Sequence, residues 1–252
     1  MISVLLRMEL YKFFHRKSCL FLMIFPLLPL FYGIGKVLKW NGVIVEGEIS
    51  AINFASTCWM LLGYTGIANI IFVIIIANSF SSELRYGQMR LFKLRCNGLD
   101  EIFDAKCISV AIKVFTSYVL LYLVAIIVFY ECLADELHVY GLFHGFSELI
   151  SCGLSDFLVT EQLILVCVIE VLACSMFTTS TSIIIGILAS LAPLIIGYIP
   201  ILKYLDIEDI LELYNDSQIS TSHIILFGCL YVVIILATLL YARKKYIKVD
   251  VC

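Results

Sequence analysis

Apolar and polar stretches alternate along this chain on a scale of about twenty residues rather than two or four. Apolar runs occupy residues 19–37, 54–78, 107–130, 162–177, 182–199 and 223–241. Several approach or exceed the ~20 residues a helix needs to cross hydrocarbon. The pattern predicts an all-α polytopic membrane protein with six transmembrane helices in a single domain, 1–252. A membrane barrel would instead show segments of about ten residues with strict alternation. Pro26 and Pro29 in the first run and Pro193 in the fifth are compatible with spans whose neighbours satisfy the freed backbone groups. The MFTTSTS link between the fourth and fifth runs predicts a tight hairpin.

The polar pieces between these runs differ in kind. Residues 1–17 read as an amphipathic interfacial helix, with Ile2, Leu5, Leu6, Leu10, Phe13 and Phe14 on one face and Arg7, Lys12, His15, Arg16 and Lys17 on the other. A signal peptide is the competing reading, but no small-residue cleavage site follows. Residues 80–106 form a long polar run with a basic excess, interleaved with Leu91, Phe92, Leu94, Leu99, Ile102 and Phe103. Each charge at the centre of a span costs about 2.5–3.5 kcal/mol, so this segment belongs in water, its apolar face against another protein. Residues 131–161 and 200–222 read as acidic extracellular loops, with short interfacial helices suggested by the spacing of Tyr204, Ile207, Leu211 and Tyr214.

Composition agrees with this division. The chain is 62% hydrophobic with a mean hydropathy of +1.03, and only 15% of it is charged, against roughly 25% in soluble domains. With both termini inside, fourteen of the 17 Lys and Arg fall on the cytosolic side, which fixes an N-in, C-in orientation. Nucleic-acid binding has no support without a basic domain.

Few residues invite chemistry. No GxxxxGK[ST] phosphate loop is present, so the chain binds no ATP by that route. Glu170 is the one acidic residue deep in an apolar run and is a functional candidate by default. Its structural alternative is a protonated side chain hydrogen-bonded to Ser or Thr of a neighbouring helix. His138 and His144 lie six apart, which does not put both rings on one helix face. Cys132 and Cys152 flank one outside loop, where a disulfide is permitted, but spacing alone is a weak warrant and two free thiols are the favoured reading.

An N-terminal interfacial helix, six spans, a charged cytosolic segment between the second and third and an amphipathic last outside loop resemble the membrane subunit of type-2 ABC exporters. The resemblance is sharpest at Met8-Glu9-Leu10-Tyr11-Lys12, at Glu83-Leu84-Arg85-Tyr86-Gly87 and at Asp104-Ala105-Lys106. Gln88 departs from the Thr common in that family. The resemblance implies an ABC type-2 permease fold whose 80–106 segment holds a coupling helix on residues 97–103. Leu99, Ile102 and Phe103 would anchor it in a separate ATPase subunit, with Asp100 and Glu101 as polar rim. It further implies a second permease in a homo- or heterodimer, a lipid membrane, and ATP and Mg bound by the partner subunit rather than by this chain. The cargo would be a peptide or amphipathic molecule, as for bacteriocin or lantibiotic immunity permeases. The Ile- and Lys-rich composition suits a Gram-positive plasma membrane. The alternatives from other classes are a stand-alone secondary transporter and a signalling or assembly protein.

Overall fold

The computed structural model describes residues 2–40, 49–85, 99–134, 141–196, 207–215 and 220–247. Among these the chain is helical throughout and contains no strand. Helix α1 is Ile2–His15, a 3₁₀ segment covers Lys17–Met23, and α2 is Ile24–Val37. Then come α3 (Ala51–Tyr64), α4 (Ile67–Arg85), α5 (Leu99–Val128, prolonged by a π turn at Phe129–Leu133) and α6 (Phe146–Met176). The chain closes with α7 (Thr179–Ile196), the short α8 (Ile207–Asn215) and α9 (Thr221–Ile247).

Among the described residues, four helical segments are long and apolar enough to cross a bilayer: Ser18–Val37, Leu99–Leu133, Phe146–Met176 and Thr221–Ile247. The bent pair α3 and α4 makes a fifth if it acts as one span. The protein therefore has polytopic membrane character. Its surface says the same: on α9, Leu226, Val233 and Leu240 are 71%, 65% and 65% exposed. An apolar face that wide is suited to lipid or another protein, not water.

The helices depart from the expected boundaries in ways that have local causes. The run 54–78 is not one straight helix, because α3 and α4 meet at a 64° bend. Gly66 takes φ +71° at the break, a conformation that glycine adopts without the Cβ penalty. Residues 146–161, expected in an extracellular loop, are the first half of α6, which runs unbroken to Met176. The fourth helix thus begins sixteen residues before 162, since Asp156 and Glu161 are buried against neighbouring helices and not solvated. The hairpin after it is tight, with α6 ending at Met176 and α7 starting at Thr179.

Helix α6 is the hub, packed by α3, α4, α7 and α9, while α5 gathers α1, α2 and α3. Phe25, Trp59 and Phe72 fill the centre, with ring centroids 6.1 and 5.7 Å from Phe25. The helix ends collect at two poles. At one, Lys106 on α5 donates to the Ser79 carbonyl of α4 at 2.9 Å, and Ser81 on α4 bonds Thr179 on α7 at 2.6 Å. Phe80, Phe103 and Tyr246 pack there as a cluster, with centroids 5.2–6.3 Å apart. At the other, Ser50 donates to Glu148 at 2.8 Å and the Ala51 N–H reaches the Gly141 carbonyl at 3.4 Å.

Helix α1 is docked rather than detached. Leu5, Glu9 and Phe13 are its buried positions, and Phe14, expected on the same face, is exposed. The reason is α5: Lys106 bonds Glu9, and the Lys113 ammonium lies 4.5 Å from the centre of the Phe13 ring. α8 is the short amphipathic helix expected in the last loop, burying Ile207, Ile210 and Leu211.

Candidate functional site

Helix α6 carries four carboxylates along its length: the part-exposed Glu148 at its start, then the buried Asp156, Glu161 and Glu170. Their spacing turns them toward different neighbours, so each is handled differently. Glu148 stands in the first turn of the helix and accepts from Ser50 at 2.8 Å, from Asn53 at 3.3 Å and from the His144 N–H at 2.5 Å. Ser50 also caps α3, its hydroxyl accepting from the Asn53 N–H at 3.2 Å. One carboxylate therefore ties the starts of two helices together.

Asp156 is the best-partnered of the three buried ones. Ser56 on α3 donates to its Oδ1 at 2.7 Å, Tyr118 on α5 donates to Oδ2 at 2.8 Å, and the Tyr122 hydroxyl donates to the same oxygen. Tyr118 and Tyr122 are one turn apart on α5, which puts both hydroxyls on one side. The network continues through Thr160, whose hydroxyl donates to the Asp156 carbonyl at 2.7 Å and accepts from the Trp59 indole at 3.2 Å. Tyr122→Phe is expected to remove one donor and cost about 1–2 kcal/mol, read as a lowered melting temperature in detergent; Trp59→Phe should cost more, because it also leaves a void at the packed centre.

Beside Asp156, α5 and α6 splay to leave a groove of about 370 Å³. Phe115 and Phe157 form its exposed walls, and Tyr118, Asp156 and Thr160 put the polar groups on its floor. Groups of this kind, a few polar atoms in an apolar cleft, are the usual make-up of a small-molecule site.

Glu161 and Glu170 are buried without such support. Glu161 is 4% exposed and neither of its oxygens has a hydrogen-bond partner. It faces α9 at Gly228, where an added Cβ would lie 3.2 Å from the carboxylate. Glu170 is fully buried; the Cys174 thiol donates to one oxygen at 3.2 Å and the other has no hydrogen-bond partner. Ser182 on α7 bonds the Cys174 sulfur at 3.5 Å, so the thiol links the carboxylate to the next helix.

The other sequence candidates fall elsewhere. Leu99, Ile102 and Phe103 are 7%, 4% and 1% exposed, spent on the chain's own core in the first turn of α5. Asp100 and Glu101 are half-buried on the same turn. Asp104 receives Arg243 of α9 through two hydrogen bonds at 3.0 and 2.9 Å, with Asp100 3.8 Å away. Because Arg243 and Asp104 are both over a third exposed, Arg243→Gln should cost under about 1 kcal/mol and barely move the melting temperature. Residues 86–98, with Arg90, Lys93 and Arg95, lie outside the described residues, as do His138 and Tyr204. Cys132 and Cys152 are free thiols, not a disulfide. Cys132 lies against α2 near Gly33, whereas Cys152 is buried on the inner face of α6, a turn before Asp156.

Two groupings escape the sequence. Asp156 and Glu161 read there as loop charges, and only the helical recurrence of Leu154, Leu158 and Val159 around them hints at a buried helix. Glu9 and Lys106 stand in separate motifs, and the fold joins them at 3.4 Å. Compared with known proteins, the chain matches no family model, no curated protein and no solved structure.

Proposed function

We propose that this chain is the transmembrane permease subunit of an ABC-type exporter, with six spans and both termini in the cytosol. In this reading it pairs with a second permease in a plasma membrane, in keeping with a Gram-positive source. It moves a peptide or amphipathic molecule out of the cell or membrane, using ATP hydrolysed with Mg on a separate subunit. The observation that carries the reading is the convergence at one pole. The docked α1, the ends of α4 and α9 and the starts of α5 and α7 meet there, knit by Glu9–Lys106, Ser81–Thr179 and Asp104–Arg243. α4 ends and α5 begins at that pole, so in this reading a push between them is delivered to α4 and α5 directly and to α1 and α9 through the ion pairs.

Since Leu99, Ile102 and Phe103 are occupied internally, the anchors for the ATPase subunit are drawn instead from Leu91, Phe92 and Leu94, with Asp100 and Glu101 at the rim. The test is purification in mild detergent from cells co-expressing a candidate ABC ATPase subunit. Phe92→Ala with Leu94→Ala should strip ATPase activity from the eluate and leave the permease monodisperse. Uptake of cargo by liposomes holding this chain alone would overturn the proposal. A stand-alone carrier is the second reading, favoured by the buried carboxylate oxygens of Glu161 and Glu170 that no hydrogen bond satisfies.

A further inference from the structure

The groove between α5 and α6 has an electrostatic character that the proposed export function does not by itself require. Asp156 lies about 15 Å along α6 from its first residue, well inside the span. Three hydroxyls solvate its carboxylate, but hydroxyl donors do not cancel a charge, and none of the groove's lining residues is a cation. Lys113, nearest in sequence on α5, is directed to the Phe13 ring of α1 instead. In a medium of low dielectric an ionised carboxylate acts over a longer range than in water, and a cation seated beside Asp156 would hold it ionised. Its surroundings are aromatic: Phe115 and Phe157 stand 66% and 52% exposed as the two walls, and Tyr118 bridges floor and wall. Aromatic faces around a negative centre are what recognises an organic cation that has little hydration to lose.

We propose that this groove binds a lipophilic organic monocation drawn from the bilayer, its charge set over the Tyr118–Asp156 pair and its apolar body between Phe115 and Phe157. The proposal rests on the membrane-spanning reading above and names the chemical class of an amphipathic cargo. It gives Asp156 the role of counter-charge and Tyr118 that of positioning residue, holding the carboxylate toward the opening. Ser56 and Tyr122 approach the same carboxylate from α3 and from the next turn of α5, and fix its orientation.

The probe is radiolabelled tetraphenylphosphonium, titrated against the full chain in lipid nanodiscs by scintillation proximity. Wild type should bind saturably, and neutral triphenylphosphine oxide should fail to compete. Asp156→Asn should weaken binding at least tenfold. Phe157→Ala and Phe115→Ala, on exposed walls, should each weaken it about two- to fivefold without changing the size-exclusion profile. These wall variants decide the matter if Asp156→Asn does not fold. Absence of saturable binding in wild type, equal affinity in a folded Asp156→Asn, or unchanged affinity in both wall variants overturns the proposal. No ATPase takes part, so such a failure leaves the co-purification result standing, and the converse holds too.

Discussion

Lys106→Met should be among the most damaging single substitutions in this protein, lowering its stability by about 2–4 kcal/mol. The Lys106 side chain is fully buried, its ammonium donating to the Ser79 carbonyl at 2.9 Å and to Glu9 at 3.4 Å, with the Phe80 ring centre 5.3 Å away. Removing the cation leaves Glu9, 8% exposed, to the half-buried Lys12 ammonium at 3.1 Å, and takes a donor from the Ser79 carbonyl. The penalty arises from a buried carboxylate left with one cation in place of two, and from the Ser79 carbonyl left without its donor. The double variant Glu9→Gln, Lys106→Met should therefore recover much of the loss. In detergent the single variant should melt roughly 10 °C lower than wild type, for a chain of this size. Additive losses, with the double variant melting lower than Lys106→Met by the loss that Glu9→Gln causes alone, would show that the pair is not coupled. Detachment of α1 is the expected structural consequence, and faster proteolysis near Arg16 would report it.

The helical, membrane-like character was plain in the sequence because a run of about twenty apolar residues has almost nowhere to go but across a bilayer. The sequence also located α1, the tight α6–α7 turn and the short α8. What it concealed was everything that depends on a partner distant in the chain. Asp156 lowers the apolar average of its window, so the helix seemed to start after it. Its acceptability comes from Ser56, Tyr118 and Tyr122, 34 to 100 residues away. Glu9 and Lys106 are 97 residues apart and looked like two independent motifs. Phe103 looked like an anchor for another protein because it sits in a charged segment. Its true neighbours are Phe80 and Tyr246, one of them at the far end of the chain. The bend at Gly66 was hidden differently, since the apolar run passes through it without a break. Local pattern reports how much of a segment is apolar; it does not report which polar atom elsewhere will accept the exceptions.

The second large effect is expected at Gly186. A Cβ there would run into the Glu170 carboxylate and would stand 2.7 and 2.8 Å from the two methyls of Val73. Neither neighbour has room to retreat, for Glu170 and Val73 are both 0% exposed. Small residues are what let membrane helices approach this closely, and here the approach is what holds α7 against α4 and α6. Gly186→Val should thus cost at least the 1–3 kcal/mol of an ordinary overpacked site, with Gly186→Ala intermediate. Glu170→Ser placed on Gly186→Ala should restore part of the melting temperature, because one of the two obstacles is removed and Val73 remains. The same carboxylate also separates the two functional readings. Glu170→Gln keeps the volume and the acceptor for Cys174 while abolishing the acid. A permease driven by a separate ATPase should export its cargo at an unchanged rate with that change, whereas a proton-coupled carrier should lose transport with its fold intact. Measured in vesicles with and without an imposed pH gradient, the two outcomes do not overlap.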